Sequence, residues 1–425
     1  MAPSRILRLV FTAASLVPLL AVARMRRTTP SAQVTTWKIG TPIISYYCGP
    51  VLTDAVARQM AEGGWNLVWG SEAELDIAQR HGLRLQLSDG LLTPAVLENP
   101  RRREQLDALI ARVRKHPALY AYYLADEPGV GQFPAIRKLV AYLHEKDPAH
   151  LAYINVLPIY ASNAQLGIRG EVVAAYREYL REFVEVIEPE LISYDHYQFA
   201  LAGDNSQYFL NLDIIRRLSL ETRTPFLNIV QASNWAPAVM RTPGPDEVRF
   251  LAYTTLAYGA QGISYYVYTC ANHRGGIANA DGKPTPLYTA LKTINREFVA
   301  IAQELQPLHS LGVYHAGMIP EGAITEPSDA AFRLNPMLRT KSLQPSERAK
   351  GVVVGLFGPV EGGGVASATH ALVVNLDYRS TSMVGIEGQG PIEVYDAVKG
   401  QWSNRNALRV DLKLPGGGGK LVRVR

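Results

Sequence analysis

The sequence predicts a (β/α)₈ barrel followed by a small all-β, sandwich-like domain. Strand-like segments rich in β-branched and aromatic residues alternate eight times with segments of helical periodicity between Trp37 and Leu305. No glycine-rich phosphate loop follows the first strand, which argues against the doubly wound open sheet that uses the same alternation. The two cysteines, Cys48 and Cys270, end the first and eighth strands. Those strands become neighbours only if the sheet closes.

The predicted strands have clear boundaries in the sequence. In chain order they are PIISYYCG, WNLVWGS, LRLQLSDG, LYAYYLADE, LAYINVLP, LISYDHYQF, PFLNIVQAS and GISYYVYTC. Several of the intervening helical segments end at glycine, as at Gly63, Gly64 and Gly82, or before proline, as at Pro117 and Pro189. Eight such units fill the roughly 250 residues that a barrel needs. We therefore assign residues 37–305 to a catalytic barrel.

Residues 306–425 are predicted to form a linker and a C-terminal β-domain. The short runs GVVVGLFG, HALVVNLD, MVGIEG, PIEVYDA, ALRVDLKL and KLVRVR are bounded by turns and by glycine clusters at 362–364 and 416–419. This pattern is typical of an antiparallel sandwich. The segment contains no catalytic constellation, so its expected work is structural or sugar-binding.

Residues 1–30 are predicted to be a signal peptide and linker. Arg5 and Arg8 precede an apolar run from Leu9 to Ala23 that closes on Ala-Val-Ala. The run is shorter than the roughly 20 residues of a spanning helix. We expect export to the periplasm or the exterior without stable membrane insertion after cleavage, the alternative being an uncleaved N-terminal anchor. An oxidising compartment would permit a Cys48–Cys270 disulfide, the alternative being two unpaired buried thiols.

Composition excludes several other functions. The formal charge is only +5 over 425 residues and the basic residues are scattered, so no nucleic-acid surface is predicted. The nine histidines are dispersed without metal-ligand spacing, so no metal or cofactor is predicted. The oligomeric state is not predicted.

Barrel active sites lie at the carboxyl ends of the strands, and here those ends are acidic and aromatic. No basic cluster suited to a phosphorylated substrate is present, whereas aromatic rings suit the apolar faces of sugars. The predicted catalytic residues are Glu127, Asp195 and Asp126. The predicted saccharide-binding residues are Tyr47, Trp69, Tyr123, Asn155, His196, Tyr197, Gln231, Trp235, Tyr266 and Tyr268.

Strand alternation predicts which of these acids face inward. On the fourth strand Glu127 falls on the inward face, whereas Asp126 shares the opposite face with Leu124. On the sixth strand Asp195 points inward and His196 outward. The two inward acids would face each other across the mouth, as glycosidic bond cleavage requires: one donates a proton to the leaving oxygen, and the other attacks, stabilises or activates water.

The segments YYLADEP, LISYDHYQF and RFLAYTTLAYGAQGISYYVYT resemble the barrel of exported bacterial glycoside hydrolase-like proteins. LRVDLKLPGGGGKLVRV resembles the β-domain that often follows such barrels. In the clan of retaining glycosidases, an Asn-Glu pair on strand 4 carries the acid/base and a Glu on strand 7 is the nucleophile. By position, the resemblance makes Glu127 the acid/base. Asp126 stands where that clan has Asn, and Gln231 where it has the nucleophile.

Three other patterns remain open. The Asp126-Glu127 pair resembles hexosaminidases, in which the Asp orients a substrate acetamido group. The Tyr-Asp of SYDHY resembles chitinase-like barrels, whose longer acidic motif on strand 4 is missing here. Carboxylates on strands 4 and 6 resemble α-galactosidase-like enzymes.

Each of these residues also has a structural interpretation. Asp126-Glu127-Pro128 is a suitable helix start, and Asp195 could be a buried structural acid. We predict a glycoside hydrolase in which Glu127 is the general acid, with its pKa raised by Asp126 and by burial, and Asp195 is the second carboxylate. The alternative is a non-catalytic saccharide-binding barrel, which the missing acid on strand 7 favours.

Overall fold

The computed structural model describes residues 37–334, 351–359, 363–403 and 407–424. The predicted signal peptide lies outside these residues. Among the described helices, none combines the length and the apolarity needed to cross a membrane.

The first part of the chain is a barrel of eight parallel strands, as predicted. The strands are β1 Ile43–Tyr47, β2 Leu67–Gly70, β3 Arg84–Leu87, β4 Leu119–Asp126, β5 Leu151–Val156, β6 Ile192–His196, β7 Phe226–Gln231 and β8 Gly262–Tyr266. They pair in the order β1-β8-β7-β6-β5-β4-β3-β2. Between β1 and β2 the circle is completed by the Asn66 amide, which donates to the Ile44 carbonyl at 3.1 Å.

In the described part of the chain, nine α-helices accompany these strands. They are α1 Asp54–Glu62, α2 Leu75–Arg80, α3 Pro100–Val113, α4 Phe133–Lys146, α5 Asn163–Leu166, α6 Val172–Ile187, α7 Tyr208–Thr222, α8 Pro245–Ala257 and α9 Pro286–Leu305. Local sequence signals place their starts. Thr53 caps α1 by accepting from the Val56 amide, and Asn99 caps α3 immediately before Pro100.

Two apolar layers hold the barrel together. The barrel interior is filled by Trp37, Ile43, Leu67, Tyr120, Ala121, Leu151, Tyr153, Leu191, Leu227 and Ile229. A larger cluster lies between the strands and the surrounding helices. These inner residues fill the barrel below its carboxyl end, and the space above them at the mouth is open.

Cys48 and Cys270 form a disulfide in the structure, with their Cα atoms 5.8 Å apart. Cys48 follows β1 and Cys270 follows β8, and these strands pair in register, with Tyr47 opposite Tyr266. Closure of the barrel is what brings the two cysteines together.

The second part is an antiparallel β-domain, which confirms the predicted all-β fold. Its strands are β9 His309–Gly317, β10 Phe332–Leu334, β11 Gly351–Gly358, β12 His370–Asn375, β13 Ser382–Asp396, β14 Gln401–Trp402, β15 Ala407–Leu414 and β16 Gly419–Val424. The long β13 pairs with β10, β14, β15 and β16. The sheet encloses its own apolar cluster, separate from the barrel core.

Polar contacts tie the two parts together. Arg216 of α7 donates to the Ser310 hydroxyl at 2.7 Å, and Arg249 of α8 donates to the Gly416 carbonyl at 3.0 Å. Arg241, in the loop after β7, lies 3.3 Å from the hydroxyl of Tyr378. The β-domain therefore packs directly against loops and helices of the barrel.

Candidate active site

Two adjoining cavities open at the carboxyl end of the barrel. One has a volume of about 210 Å³ and is lined by Tyr47, Asp126, Glu127, Asn155, Asp195, Tyr197, Ile229, Trp235 and Tyr266. The other, of about 220 Å³, shares Glu127, Asp195, Tyr197 and Trp235 with it. All three predicted catalytic carboxyls therefore border the same space.

A β-bulge in β4 brings Asp126 to this space, contrary to the alternation-based expectation. Tyr123 lies opposite Tyr153 of β5, but Ala125, two residues later, lies opposite the very next residue, Ile154. The extra residue reverses the alternation, so that Asp126 pairs with Asn155. The prediction that Asp126 faces the helix layer was wrong for this reason.

Glu127 adopts a backbone conformation that side-chain-bearing residues rarely take. Its φ angle is +45°, in the left-handed region, and its amide donates to the Asn155 carbonyl at 2.8 Å. This conformation costs a non-glycine residue about 1–2 kcal/mol. Such strain concentrates at functional sites, where the surrounding structure holds it. Here it turns Glu127 into the mouth just beyond the end of β4.

Asn155 organises the acids through its side-chain amide. Its Nδ2 donates to Asp126 Oδ1 at 3.2 Å and to Asp195 Oδ1 at 3.0 Å. Its Oδ1 accepts from the Ser193 hydroxyl at 3.1 Å, which fixes the orientation of the amide. Asp126 also lies near Tyr47, where burial, followed by the charge of Asp126, raises the pKa of the Tyr47 hydroxyl well above its ordinary value. The cluster is therefore a connected polar network.

Glu127 and Asp195 are hydrogen-bonded to each other, so one of the two carboxyls must carry a proton. Asp195 is only 2% exposed, and burial, followed by the charge of Glu127, raises its pKa well above the ordinary range. Desolvation also raises the pKa of Glu127, although its hydrogen bond to Asp195 acts in the opposite direction. The two acids thus form a proton-sharing pair rather than facing each other across the mouth.

Aromatic rings form the walls of the mouth. Trp235 packs edge-on against Tyr197 at 4.4 Å and against Tyr266 at 4.9 Å between ring centroids. On the opposite side the hydroxyls of Tyr47 and Tyr123 are 2.8 Å apart. Tyr47, Tyr197, Trp235 and Tyr266 line the cavity, as predicted for saccharide-binding residues.

Trp69 and Tyr123 lie behind this wall. The ring of Trp69 packs 5.0 Å from Tyr47 and 4.6 Å from Tyr123, and its Nε1 donates to the Tyr46 carbonyl. Neither Trp69 nor Tyr123 lines the cavities, so both support Tyr47 rather than offering a free face.

Two further predicted binding residues are buried away from the mouth. His196 is 0% exposed, points outward from β6, and contacts Asn211 of α7 through Nδ1 at 3.0 Å. Burial lowers its pKa to about 4. Tyr268 is 1% exposed and accepts from Gln59 of α1. Neither residue can reach a ligand, because each packs into the layer between strands and helices.

Gln231 is also not available to bind a ligand, because its side-chain amide is hydrogen-bonded to backbone groups. It is 0% exposed, accepts from the Phe199 amide at 2.8 Å, and donates to the Arg241 carbonyl at 2.8 Å, with longer contacts to the Phe199 and Ser233 carbonyls. It therefore clamps the loop that carries Trp235. Strand 7 delivers no acid to the cavities.

Residues that the sequence did not single out complete the second cavity. Tyr160, in the loop after β5, accepts from the Tyr197 amide through its hydroxyl at 3.1 Å and packs over His196. Gln165, in the short helix α5 that follows this loop, also lines this cavity. Only the aromatic character of Tyr160 just beyond a strand end could have indicated it.

Charge in the two cavities is of one sign. No Lys, Arg or His is among the residues that line them. Within the described part of the chain, no group of three His, Cys, Asp or Glu side chains is arranged to hold a metal ion. The site can therefore offer carboxyl groups, hydroxyls, amides and aromatic faces.

Comparison with known proteins supports the fold. No protein-family model matches the chain, and no curated protein sequence matches it. A beta-galactosidase from Bacillus circulans sp. alkalophilus superposes with a TM-score of 0.56 at 9% identity, over 91% of this chain and 99% of that one. An endo-beta-1,4-mannanase from Thermotoga petrophila gives 0.42 at 9% identity, over 89% and 98%.

A beta-galactosidase from the psychrophilic Marinomonas ef1 gives a TM-score of 0.45 at 13% identity, over 62% of this chain. The chain spans only 60% of that enzyme's length. All three neighbours are named as glycosidases. The likeness to the Bacillus circulans enzyme, the one of the three with a TM-score above 0.5, supports the barrel fold and, at 9% identity, not the reaction.

Proposed function

We propose that the chain is a glycoside hydrolase that cleaves a saccharide at the barrel mouth, with Glu127 as the general acid. The observation that carries the proposal is the environment of Glu127. Its left-handed backbone conformation turns its side chain into the cavity, and it shares a proton with the buried Asp195. A carboxyl with a raised pKa keeps a transferable proton nearer neutral pH, as a general acid requires.

The geometry favours different roles for the other two acids. Carboxyls that flank a scissile bond stand roughly 5–9.5 Å apart, whereas hydrogen-bonded carboxyls are closer. Asp195 therefore acts in this proposal as the reservoir of the proton that Glu127 donates. Asp126, exposed and held by Asn155, is the carboxylate left to act on the substrate or on water.

The proposed reaction is a hydrolysis. Glu127 donates its proton to the glycosidic oxygen as the bond from that oxygen to the anomeric carbon breaks. Water adds to the anomeric carbon and gives up a proton to Asp126, which passes it to solvent, and solvent returns a proton to the Glu127–Asp195 pair. The rings of Trp235 and Tyr266 offer faces against which the sugar can stack.

A second candidate is a non-catalytic saccharide-binding barrel. It is favoured by Gln231, which fills the strand 7 position with backbone hydrogen bonds and leaves no nucleophile there. This candidate predicts saccharide binding that survives Glu127→Gln and no turnover in either protein.

The test is a screen of the purified chain against aryl glycosides and polysaccharides, in parallel with Glu127→Gln. We expect Glu127→Gln to lower hydrolysis by about 100- to 10,000-fold with an unchanged unfolding midpoint. The matched control is Glu72→Gln, since Glu72 is an acid beyond β2 that pairs with Arg112 outside the cavities. It should hydrolyse normally. Normal turnover in Glu127→Gln would remove the acid role.

We also propose that the chain is exported. The support is the charged and apolar N-terminal pattern together with a disulfide, which persists in oxidising compartments. Fractionation of the producing cells tests this, since retention of the full-length chain in the cytoplasm contradicts it.

A further inference from the structure

A chain of buried polar groups leads to the acids from inside the barrel. The Tyr153 hydroxyl lies 2.7 Å from the Ser193 hydroxyl, and the Ser193 hydroxyl donates to Asn155 Oδ1 at 3.1 Å. Asn155 Nδ2 then donates to Asp126 and Asp195. Because a hydroxyl carries one proton, Tyr153 donates to Ser193, and every bond of the chain runs in the same direction. This direction fixes which end of the Asn155 amide faces the carboxyls.

The same amide sets the distance between two of the acids. Its bonds of 3.2 Å to Asp126 and 3.0 Å to Asp195 start from one nitrogen. Because the two N–H groups of an amide diverge by about 120°, the two carboxyl oxygens that they contact lie roughly 5–6 Å apart. Carboxyls that flank a scissile glycosidic bond stand roughly 5–9.5 Å apart. Asn155 therefore holds Asp126 and Asp195 at a separation that a sugar linkage can use.

Asn155 itself has little left to offer a ligand. Its side chain is buried, with 2% exposure of the residue, and both its nitrogen and its oxygen are hydrogen-bonded within the protein. Its effect is therefore exerted on the acids rather than on the sugar.

We propose that Asn155 is a positioning residue for the hydrolysis, one that spaces Asp126 from Asp195 and holds both by donation from a single amide. The Tyr153–Ser193 chain keeps that amide in the donating orientation. The effect on turnover rests on the proposed function, whereas the effect on the shared proton depends on the amide alone.

The amide should also set the pH at which the shared proton is lost. Burial, followed by the charge of Glu127, raises the pKa of Asp195, and donation from Asn155 acts in the opposite direction. Without this donation the Glu127–Asp195 pair should keep its proton to a higher pH. Hydrolysis declines at high pH when the general acid loses its proton, so the high-pH limb of the pH–rate profile should move upward. A merely structural amide would lower activity without moving that limb.

The other titratable groups around Asp195 stay uncharged in this range. Besides Asp126 and Glu127 they are tyrosines, namely Tyr153 of β5, Tyr160 of the loop after β5, Tyr176 and Tyr179 of α6, Tyr194 of β6, Tyr197 just beyond β6 and Tyr266 of β8. Burial raises the pKa of each of these hydroxyls. His196 points away from the mouth, and burial lowers its pKa to about 4. A movement of the high-pH limb therefore reports on the carboxyls.

The test measures kcat and KM against pH for the parent and Asn155→Asp, with an aryl glycoside that the parent hydrolyses. Asn155→Asp keeps the size of the side chain, but a third carboxyl cannot donate to both acids. We expect kcat to fall about 10- to 100-fold and KM to change less than about threefold, with the high-pH limb moved upward. Ser193→Ala leaves Asn155 in place and frees its amide to turn. It should show a smaller loss and a shift in the same direction.

The matched control is Asn228→Asp. Asn228 is also buried, lies on β7, and donates to Thr255 of α8 at 2.9 Å in the layer between strands and helices. This variant makes the same chemical change away from the acids, so its high-pH limb should stay where the parent has it. The urea midpoint of each variant shows that the protein assayed is folded.

Infrared spectroscopy follows the shared proton without turnover, through the C=O band of a protonated carboxyl that Asp195→Asn removes. Ser193→Ala suits this measurement because it adds no carboxyl. We expect the band to persist to a higher pH in Ser193→Ala than in the parent.

A fall in kcat with an unmoved limb, a rise in KM with kcat retained, or an equal shift in Asn228→Asp overturns the inference. So does an infrared band that titrates alike in the parent and Ser193→Ala. Failure of the proposed function gives a different result. In that case neither the parent nor any variant hydrolyses a glycoside, yet the infrared band still shifts, and control of the shared proton by the amide stands.

Discussion

Gln231→Glu tests whether a carboxylate on β7 is all that the site lacks for a catalytic nucleophile. If so, the substitution supplies the missing nucleophile and raises hydrolysis. The structure predicts the opposite, because the side chain of Gln231 is directed at backbone carbonyls rather than at the cavities. The carboxyl oxygen that replaces Nε2 would face the carbonyls of Arg241, Phe199 and Ser233 at 2.8, 3.2 and 3.3 Å.

The expected cost follows from those contacts. Each lost hydrogen bond removes about 1 kcal/mol, and each buried acceptor left without a donor costs a further ~1–3 kcal/mol. Protonation of the new carboxyl can restore one of these bonds at most. Because Gln231 is 0% exposed, we expect a loss of about 3–5 kcal/mol. The loop carrying Trp235 should loosen as well.

Urea unfolding followed by tryptophan fluorescence measures the stability, and limited proteolysis measures the loop. Gln231→Met is the matched control, since it has similar size and removes the hydrogen bonds without introducing an acid. We expect it to lie between the parent and Gln231→Glu in stability. An unchanged midpoint for Gln231→Glu, or a gain in hydrolysis, would refute the role of Gln231 as a loop clamp.

Two further predictions concern stability. Folding raises the pKa of Asp195. At a pH above the usual Asp range, the folded state therefore still holds a proton that the unfolded state has released. The free energy of unfolding consequently falls as the pH rises. Asp195→Asn should therefore be more stable than the parent at pH 8, by about 1–3 kcal/mol, with the difference shrinking toward pH 3; parallel pH curves would contradict this. Cys48→Ser should lose about 3–5 kcal/mol, because the disulfide joins residues separated by 222 positions. A reducing agent should lower the melting temperature of the parent and leave that of Cys48→Ser unchanged; equal responses would count against the bond.

The position of Glu127 could be predicted from the sequence because it needs only a count of strands. Eight alternating units place the DEP segment at the end of the fourth, where barrel chemistry lies. The orientation of Asp126 could not be predicted in this way. A single bulged residue reverses the alternation, and no residue type in LYAYYLAD marks the bulge.

The aromatic residues also divide into those whose position the sequence predicted correctly and those whose position it did not. Tyr47, Tyr197, Trp235 and Tyr266 were predicted at the mouth and lie there. Tyr268 follows Tyr266 by two residues, yet its ring packs 5.3 Å from Trp65 in the helix layer. Alternation applies within a strand, and β8 ends at Tyr266, so the chain is free to turn before Tyr268.

The sequence by itself determined the barrel, the all-β second domain and the acidic, aromatic character of the mouth, because periodicity and strand ends are local properties. Tertiary structure alone decided how the acids relate to one another. Asp195 and Glu127 share a proton because burial and the β6 backbone bring a distant carboxyl against Glu127. Gln231 became a clamp rather than a ligand because the loop after β7 folds back onto it. Both outcomes depend on contacts between residues far apart in the chain, which no local pattern encodes.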